Sequence, residues 1–555
     1  MKELLLSNSE PRSRKRNLGW HHAFLFAVFS AVTVLAEYCP NVKNDPSIDA
    51  LFYRISSRYH VPPPPAFFAQ PMTVCDVLGF LDKADSLGRA GRLSPSEIAD
   101  ANDLRRQVSA EYGLFKWKSK RQDTHVNVRL ALTDTNSASF GDKSAGFVRG
   151  TASPSLYANV ANLSFYGNLD VWTDYRSDTI YHQSSYQPYD GVPYNLYGRA
   201  DSSHVRSSDI PRGGVNFMQG PIRLEASIDR LKDGPSVESP LTFSGFAPPE
   251  TYVRGQVAFG LLTYVQAFGL LQSEVDKAKY FYMHRIDIPL FSSRFDIGLT
   301  EDVISGSTTD EPDTRPDSAN ALQSSYYGQT RDWVIPYMIP FVPYIAVEHL
   351  VGGLRDNKNI SLDFNLAFPD NFRWYFEWFI DDMTAPWTMF SNDWGNKLAG
   401  TFGCQYFGTA FDRDVTASIE YSRVEPWVYT HFYGGAERYD NYNVCLGAPL
   451  GPDSDLLWLL LEGRITRRST VGFEFTNERT DPGARGGSIR DVFQDSGSPH
   501  PDSPKKVFLG PGTQTVTRLG VYWKLDQFGL FRVNVKYDYD FRGASIFQVY
   551  GGLYF

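Results

Sequence analysis

Nowhere do the 555 residues offer a run of about twenty apolar residues, the length an α-helix needs to cross a bilayer. Membrane-spanning helices are therefore excluded. Cysteine is scarce: Cys39, Cys75, Cys404 and Cys445 are the whole complement, at spacings that fit no zinc or redox motif. An oxidising compartment would permit Cys39–Cys75 and Cys404–Cys445 bridges. Positive charge is not in excess either. With 54 Lys and Arg against 63 Asp and Glu the chain carries −9 at pH 7, which argues against nucleic acid as a partner. Also missing are a G-x-S-x-G elbow, an H-E-x-x-H helix and a phosphate-binding glycine loop, so an enzyme is not expected. Glu377 with the adjacent Asp381 and Asp382 could suggest glycoside hydrolysis, but acid pairs lining a protein interior commonly have no catalytic role. No residue pattern calls for a cofactor or a metal.

What the chain does have is aromatic side chains, 32 Tyr, 39 Phe and 11 Trp, under a polar average with mean hydropathy −0.33. That combination, without spanning helices, suits a transmembrane antiparallel β-barrel. The segment "FRVNVKYDYDF" (531–541) shows the pattern at residue level. Phe531, Val533, Val535, Tyr537, Tyr539 and Phe541 alternate with Arg532, Asn534, Lys536, Asp538 and Asp540, giving one apolar and one charged face. The chain ends on an alternating segment, "IFQVYGGLYF", with a terminal Phe555 of the kind found on bacterial outer-membrane barrels. A soluble β-sandwich would account for the alternation but not for that ending together with the N-terminus.

Three regions are expected. Residues 1–36 read as a signal peptide: Arg12, Arg14, Lys15 and Arg16 precede the apolar stretch 23–36, which ends at Ala36. Residues 37–121 read as a small periplasmic helical domain. Its candidate helices are 47–59, 72–87 with Thr73 as cap, and 94–113 opened by Ser94-Pro95-Ser96-Glu97. Residues 122–555 read as the barrel. Counting back from Phe555 at the periplasmic rim, short turns fall at 526–529 and near Arg468, Asp412 and Asp370. Long outer loops fall at 481–513, 434–455 and 382–395. The apolar segment 332–353 contains Pro336, Pro340 and Pro343, and a strand there would break the up-down parity. It is therefore expected to be part of a long extracellular connection, 304–357, helical near 341–350 and folded inward as a plug. About eighteen strands result.

Along 374–381, Trp374, Phe376, Trp378 and Ile380 should face lipid, leaving Tyr375, Glu377, Phe379 and Asp381 inside. Likewise Val415, Ala417, Ile419 and Tyr421 should face lipid, with Glu420 and Ser422 in the lumen. Confined carboxylates need partners, so Glu348, Glu377, Glu420 and Arg423 are expected to form a lumen network that holds the plug.

Four stretches stand out from the alternation: "EHLVGGLRDNKNISLDF" (348–364), "WYFEWFIDD" (374–382), "IEYSRVEPWVYTH" (419–431) and "LGAPLGPDSDL" (446–456). Together with "HRIDI" (284–288) and the helical N-terminal region, they resemble the Wzi-type capsule assembly family. The resemblance implies an eighteen-strand outer-membrane barrel of a Gram-negative bacterium, with a helical bundle on the periplasmic side. It further implies a lectin-like anchor that retains capsular or exopolysaccharide, with outer-membrane lipid and the polysaccharide export machinery as partners. Polar and aromatic residues gathered at one mouth suit a sugar's hydroxyls and apolar faces. On position, the candidates for binding polysaccharide are His349, Arg355, Asp356, Asn357, Asp381, Asp382, Trp387, Trp394, Tyr429 and His431. The tyrosine-rich loop 181–201 adds to the same side. A polar-lined porin for small solutes is the competing reading.

Overall fold

The computed structural model describes residues 39–109, 113–119, 124–141, 144–178, 181–182, 202–272, 278–307, 332–351, 356–431, 437–491 and 505–555. The expected signal peptide and most of loop 181–201 lie outside them. Among the described residues, eighteen antiparallel strands close into one barrel, from Thr124–Phe140 to Ser545–Tyr554, and those two pair with each other. Turns at one rim are short. Ala410 and Arg413 are joined by Phe411 and Asp412 alone, both at positive φ, as a two-residue hairpin turn requires. Most connections at the other rim are long, as the sequence parity predicts, although 141–144 and 541–544 are only four residues each.

The outer surface follows from period-two alternation. Leu156, Leu224, Leu299, Phe402, Phe473 and Phe547 are all exposed on it, while polar residues alternate inward. A closed sheet satisfies every backbone group of its wall without water, so this apolar belt can sit in lipid. The protein is an outer-membrane barrel.

Among the described residues, three helices precede it: α1 (Pro46–Tyr59), α2 (Val74–Arg89) and α3 (Pro95–Val108). Each begins where the sequence supplies a cap. Asp45 accepts from the Ser47 amide, and Thr73 with Asp76 and Ser94 with Glu97 form capping boxes, each cap contributing about 1 kcal/mol. Phe52, Phe80, Leu81 and Leu104 are fully buried between the helices, and the Phe52 and Phe80 rings stack at 3.9 Å. A Cys39–Cys75 disulfide ties the leading segment to α2. No Cys404–Cys445 bridge forms, because Cys404 sits on the lipid face of its strand and Cys445 is buried among the outer loops.

This helical unit is seated in the short-turn mouth of the barrel rather than hanging below it. Arg58 reaches Asp414 at 3.0 Å, Ser94 donates to Asp414 at 2.5 Å and Arg54 donates to Thr416 at 2.8 Å. Across the mouth, Asn41 donates to Glu225 at 2.6 Å and accepts from Arg223 at 2.7 Å.

The segment 332–351 is a correction to the expected plug. It avoids strand geometry, as its prolines demand, forming a 3-10 turn (Ile335–Met338) and the helix α4 (Tyr344–Val351). It packs on the outside of the wall, however. Its Tyr337, Tyr344 and Val347 bury against Tyr280, Tyr282 and Val303, which project outward. The cause is an unusual patch of polar outward residues on three neighbouring strands. Tyr264 accepts from the Phe341 amide (3.0 Å), Tyr282 from the Val334 amide (2.8 Å) and Glu301 from the Tyr344 amide (2.8 Å). Gln266 donates to the Tyr337 carbonyl at 3.1 Å, and His284 lies 3.0 Å from Glu301. Lipid could satisfy none of these groups. The strap satisfies them and turns Ile335, Phe341, Ile345 and Leu350 outward.

Removing residues 332–353 should therefore leave the lumen closed while exposing the Glu301–His284 pair, midway up the wall, to lipid. A charge there costs about 3 kcal/mol. The expected result is a lower melting temperature with no gain of conductance in planar bilayers. Large channels in that variant would put the strap inside.

Candidate functional site

The lumen is closed by a different segment, residues 230–249. It connects Ile222–Asp229, at eight residues the shortest wall strand, to Glu250–Phe259, and so leaves the wall partway up and turns inward. Two carboxylates on the opposite wall receive it. Glu377 accepts the Ser236 and Leu241 amides at 2.8 Å each. Glu420 accepts the Val237 amide at 2.9 Å and the Ser239 amide at 2.8 Å, with the Tyr375 hydroxyl at 2.7 Å. Gly234, at φ +93°, lies so close to Glu377 that any side chain would strike the carboxylate. Arg373 donates to the Pro235 carbonyl, and its guanidinium lies 3.4 Å from the Tyr53 ring centroid of α1. Arg285 binds Asp363 at 2.6 Å beside Asp233 of the plug.

Below, the plug meets the helical unit. Ala69 and Gln70 pair as a short ladder with Asp233 and Lys232, the Gly234 amide donates to the Phe68 carbonyl (2.8 Å) and Lys232 reaches Asp49 (2.9 Å). Above, Leu241 and Phe243 share an apolar core with Tyr429, Tyr439 and Leu446 of the loop after Val424. Helical unit, plug and outer loop thus stack in the lumen.

Of the expected network, Glu377 and Glu420 do face inward and hold a plug, although by accepting backbone N–H groups rather than through salt bridges. Arg423 is not part of it. It projects outward, 3.1 Å from Glu425 and over the Phe508 ring at 3.8 Å. Glu348 and His349 lie on α4, outside the wall, with side chains beyond the described residues; Arg355 lies outside the described residues altogether.

Several binding candidates turn out to be ties between loops. Tyr429 is fully buried, its amide donating to Asp381 at 2.5 Å and its hydroxyl to the Leu241 carbonyl at 2.8 Å. His431 lies 2.9 Å from Glu437, whose carbonyl accepts from Asn357 at 2.9 Å. Asp356 accepts the Tyr337 hydroxyl of the strap at 3.1 Å. Asp382 lies 3.4 Å from Lys397 at the wall's upper edge, and Trp387 is 87% exposed in a 3-10 turn.

Trp394 has a different setting. With Trp427 it walls an outer cleft of about 590 Å³, completed by Asp481, Arg485, Lys505, Lys506 and Gln514. Three loops converge to make it. The Trp427 amide donates to the Gly486 carbonyl at 2.9 Å, and Gly486, at φ +80°, packs against the indole where a Cβ could not fit. The Lys506 amide donates to the Asn392 carbonyl at 2.9 Å, and its ammonium contacts Glu425 and the Asn396 carbonyl. Burial lowers the Lys506 pKa despite Glu425. Parity places loop 481–513 outside, but nothing in its composition nominates Lys505 or Lys506. Only spatial convergence identifies them.

No protein-family model matches the sequence. Among solved structures the fold is similar to Wzi, described as an outer-membrane protein involved in group 1 capsule assembly in Escherichia coli and a carbohydrate-binding β-barrel. The TM-score is 0.55 at 14% identity, over 93% of this chain and 99% of that one. The barrels of OccK8 (OprE) and OprD from Pseudomonas aeruginosa are more distant. Their TM-scores are 0.41 and 0.39 at 7% and 10% identity, over 78% of this chain and 98% and 95% of theirs.

Two outcomes test the plug. Replacing Glu377 and Glu420 together with Ala strands buried amides at about 1–3 kcal/mol each. The wall's own ladder is unaffected, so the variant should still insert, but conduct in planar bilayers. A silent variant with normal folded yield would refute the plug's attachment. Glu238, within the plug, is raised to about 7, first by burial and then by Glu420 and Glu474. The folded state thus keeps a proton that the unfolded chain loses above its ordinary value of 4.5. Stability should fall as pH rises from there through about 7. Glu238→Gln should raise the melting temperature at pH 8 and leave it unchanged at pH 4; equal shifts at both would refute the assignment.

Proposed function

We propose that the protein is a lectin-like anchor that retains a surface polysaccharide at the outer cleft between Trp394 and Trp427. The cleft carries this reading. It combines indole surface with both signs of charge on the side from which a polymer would approach, and its volume lies in the range of about 300–1,000 Å³ usual for ligand sites. The Trp394 face can pack on the apolar side of a sugar ring, with Trp427 as the buried floor, and Arg485, Lys505, Gln514 and Asp481 supply hydrogen bonds to hydroxyls or to acidic substituents. A lumen filled by three stacked layers supports anchoring over transport. The fold shared with a carbohydrate-binding barrel agrees with it.

Affinity for one sugar unit should be weak, because exposed hydrogen bonds contribute only about 0.5–1.5 kcal/mol net each. A repeating polymer offsets this by engaging several barrels at once. A solute channel is the second reading, and residual lumen space beside the plug favours it.

Trp394→Ala and Arg485→Ala should release polymer from cells into the medium with no loss of assembled barrel, scored by heat-modifiable migration. Trp387→Ala, whose ring stands apart from the cleft lining, should release little. Release from Trp387→Ala and none from Trp394→Ala would move the site to the 382–395 loop tip.

A further inference from the structure

The connection from Phe372–Asp382 to Lys397–Ala410 has an unusual composition for an outer loop. Between Asp382 and Asp393 it carries no charged side chain over ten residues, "MTAPWTMFSN". Its two largest side chains, Trp387 and Phe390, are each 87% exposed. Neither lines the outer cleft, although Trp394 of the same loop does.

The loop is tied from within. Asn396, fully buried at its base, accepts from the Thr384 amide at 3.0 Å and donates to the Thr388 carbonyl at 2.6 Å. The Thr388 hydroxyl donates to the Ala385 carbonyl at 2.9 Å, and the Ser391 hydroxyl to Asp393 at 2.7 Å. Phe390 stacks on Trp378, with ring centroids 6.2 Å apart and planes within 8°. Trp378 is a lipid-facing wall position, four residues below the strand's upper end at Asp382. Four residues are about 13 Å of strand. The neighbouring lipid-facing position is Gly400, which adds no side chain to crowd the indole. The loop therefore folds back over the outside of the wall, as the strap on 332–351 does two strands away.

A sugar would need polar groups converging on the two rings, and the nearby hydroxyls are turned to the loop itself. Lipid needs none. Aromatic residues at the edge of a bilayer favour the boundary between headgroups and acyl chains, and the stack on Trp378 makes this loop continuous with a surface that already faces lipid.

We infer that residues 383–391 are a membrane-inserted loop, with Trp387 and Phe390 embedded in the outer leaflet. Insertion is independent of what the cleft binds. Because Trp394 stands on the same loop, insertion also fixes one wall of the cleft at the membrane surface.

Fluorescence of the purified full-length barrel, reconstituted in phosphatidylcholine vesicles at high lipid excess, tests this with two quenchers. One is the same lipid brominated on its acyl chains, the other aqueous iodide. Subtracting the spectrum of Trp387→Phe from that of the wild type isolates the indole at 387 from those of the wall. The difference emission should be blue-shifted, lose most of its intensity in brominated vesicles and be unchanged by iodide. Phe390→Trp adds an indole at the second position, which should behave alike and decides the matter if Trp387→Phe fails to fold. Quenching by iodide and not by bromine puts the loop in water and overturns the proposal. Protection from both quenchers assigns the cover to protein, a second copy included, and overturns it too.

Discussion

Two carboxylates on one wall, Glu377 and Glu420, hold the interior of this barrel in place by accepting backbone amides from a chain segment that crosses to meet them. An eighteen-strand barrel encloses far more space than its wall side chains can fill. Something must occupy the space or water will. A peptide crossing that space brings polar amides with it, and buried amides must be paired. Carboxylates are efficient partners because each oxygen can accept more than one N–H. Once residues 230–249 are fixed, the helical unit has a ladder to join from below and the outer loop an apolar surface to cover from above.

The wall was legible in the sequence because its rule is local. Alternation assigns each residue of 374–381 and 531–541 to lipid or lumen, and the structure keeps those assignments. Helix starts were legible for the same reason, since Thr73 and Ser94 act on amides three residues away. The identity of the plug was not. Segment 332–353 was conspicuous for its apolar residues, and burial in a soluble protein means the interior. A barrel inverts that logic, with lipid outside and polar groups within, so the apolar segment went to the wall's outer face. The true plug, "RLKDGPSVESPLTFSGFAPP" (230–249), has the composition of an ordinary exposed loop. The brevity of the strand before it, Ile222–Asp229 at eight residues, was the available signal.

The candidate site was only partly legible, again for a physical reason. Trp394 could be nominated as an aromatic residue in an outer loop. Trp427, Arg485 and Lys505 come from two other loops, and their convergence depends on tertiary contacts such as Trp427 against Gly486. Tyr429 and His431 carried the right chemistry for sugar recognition, but the loop's need for internal ties placed them in its core.

The joint between first and last strands bears on how the molecule is put together. The first strand extends beyond the reach of the last, and below Leu130 its edge is taken by Phe115–Lys118, the segment that follows α3. The stopper is therefore stitched into the very edge at which the sheet must shut. A sheet that zips from its first strand to its last carries the helical unit on its leading edge, alongside the opening that unit will occupy.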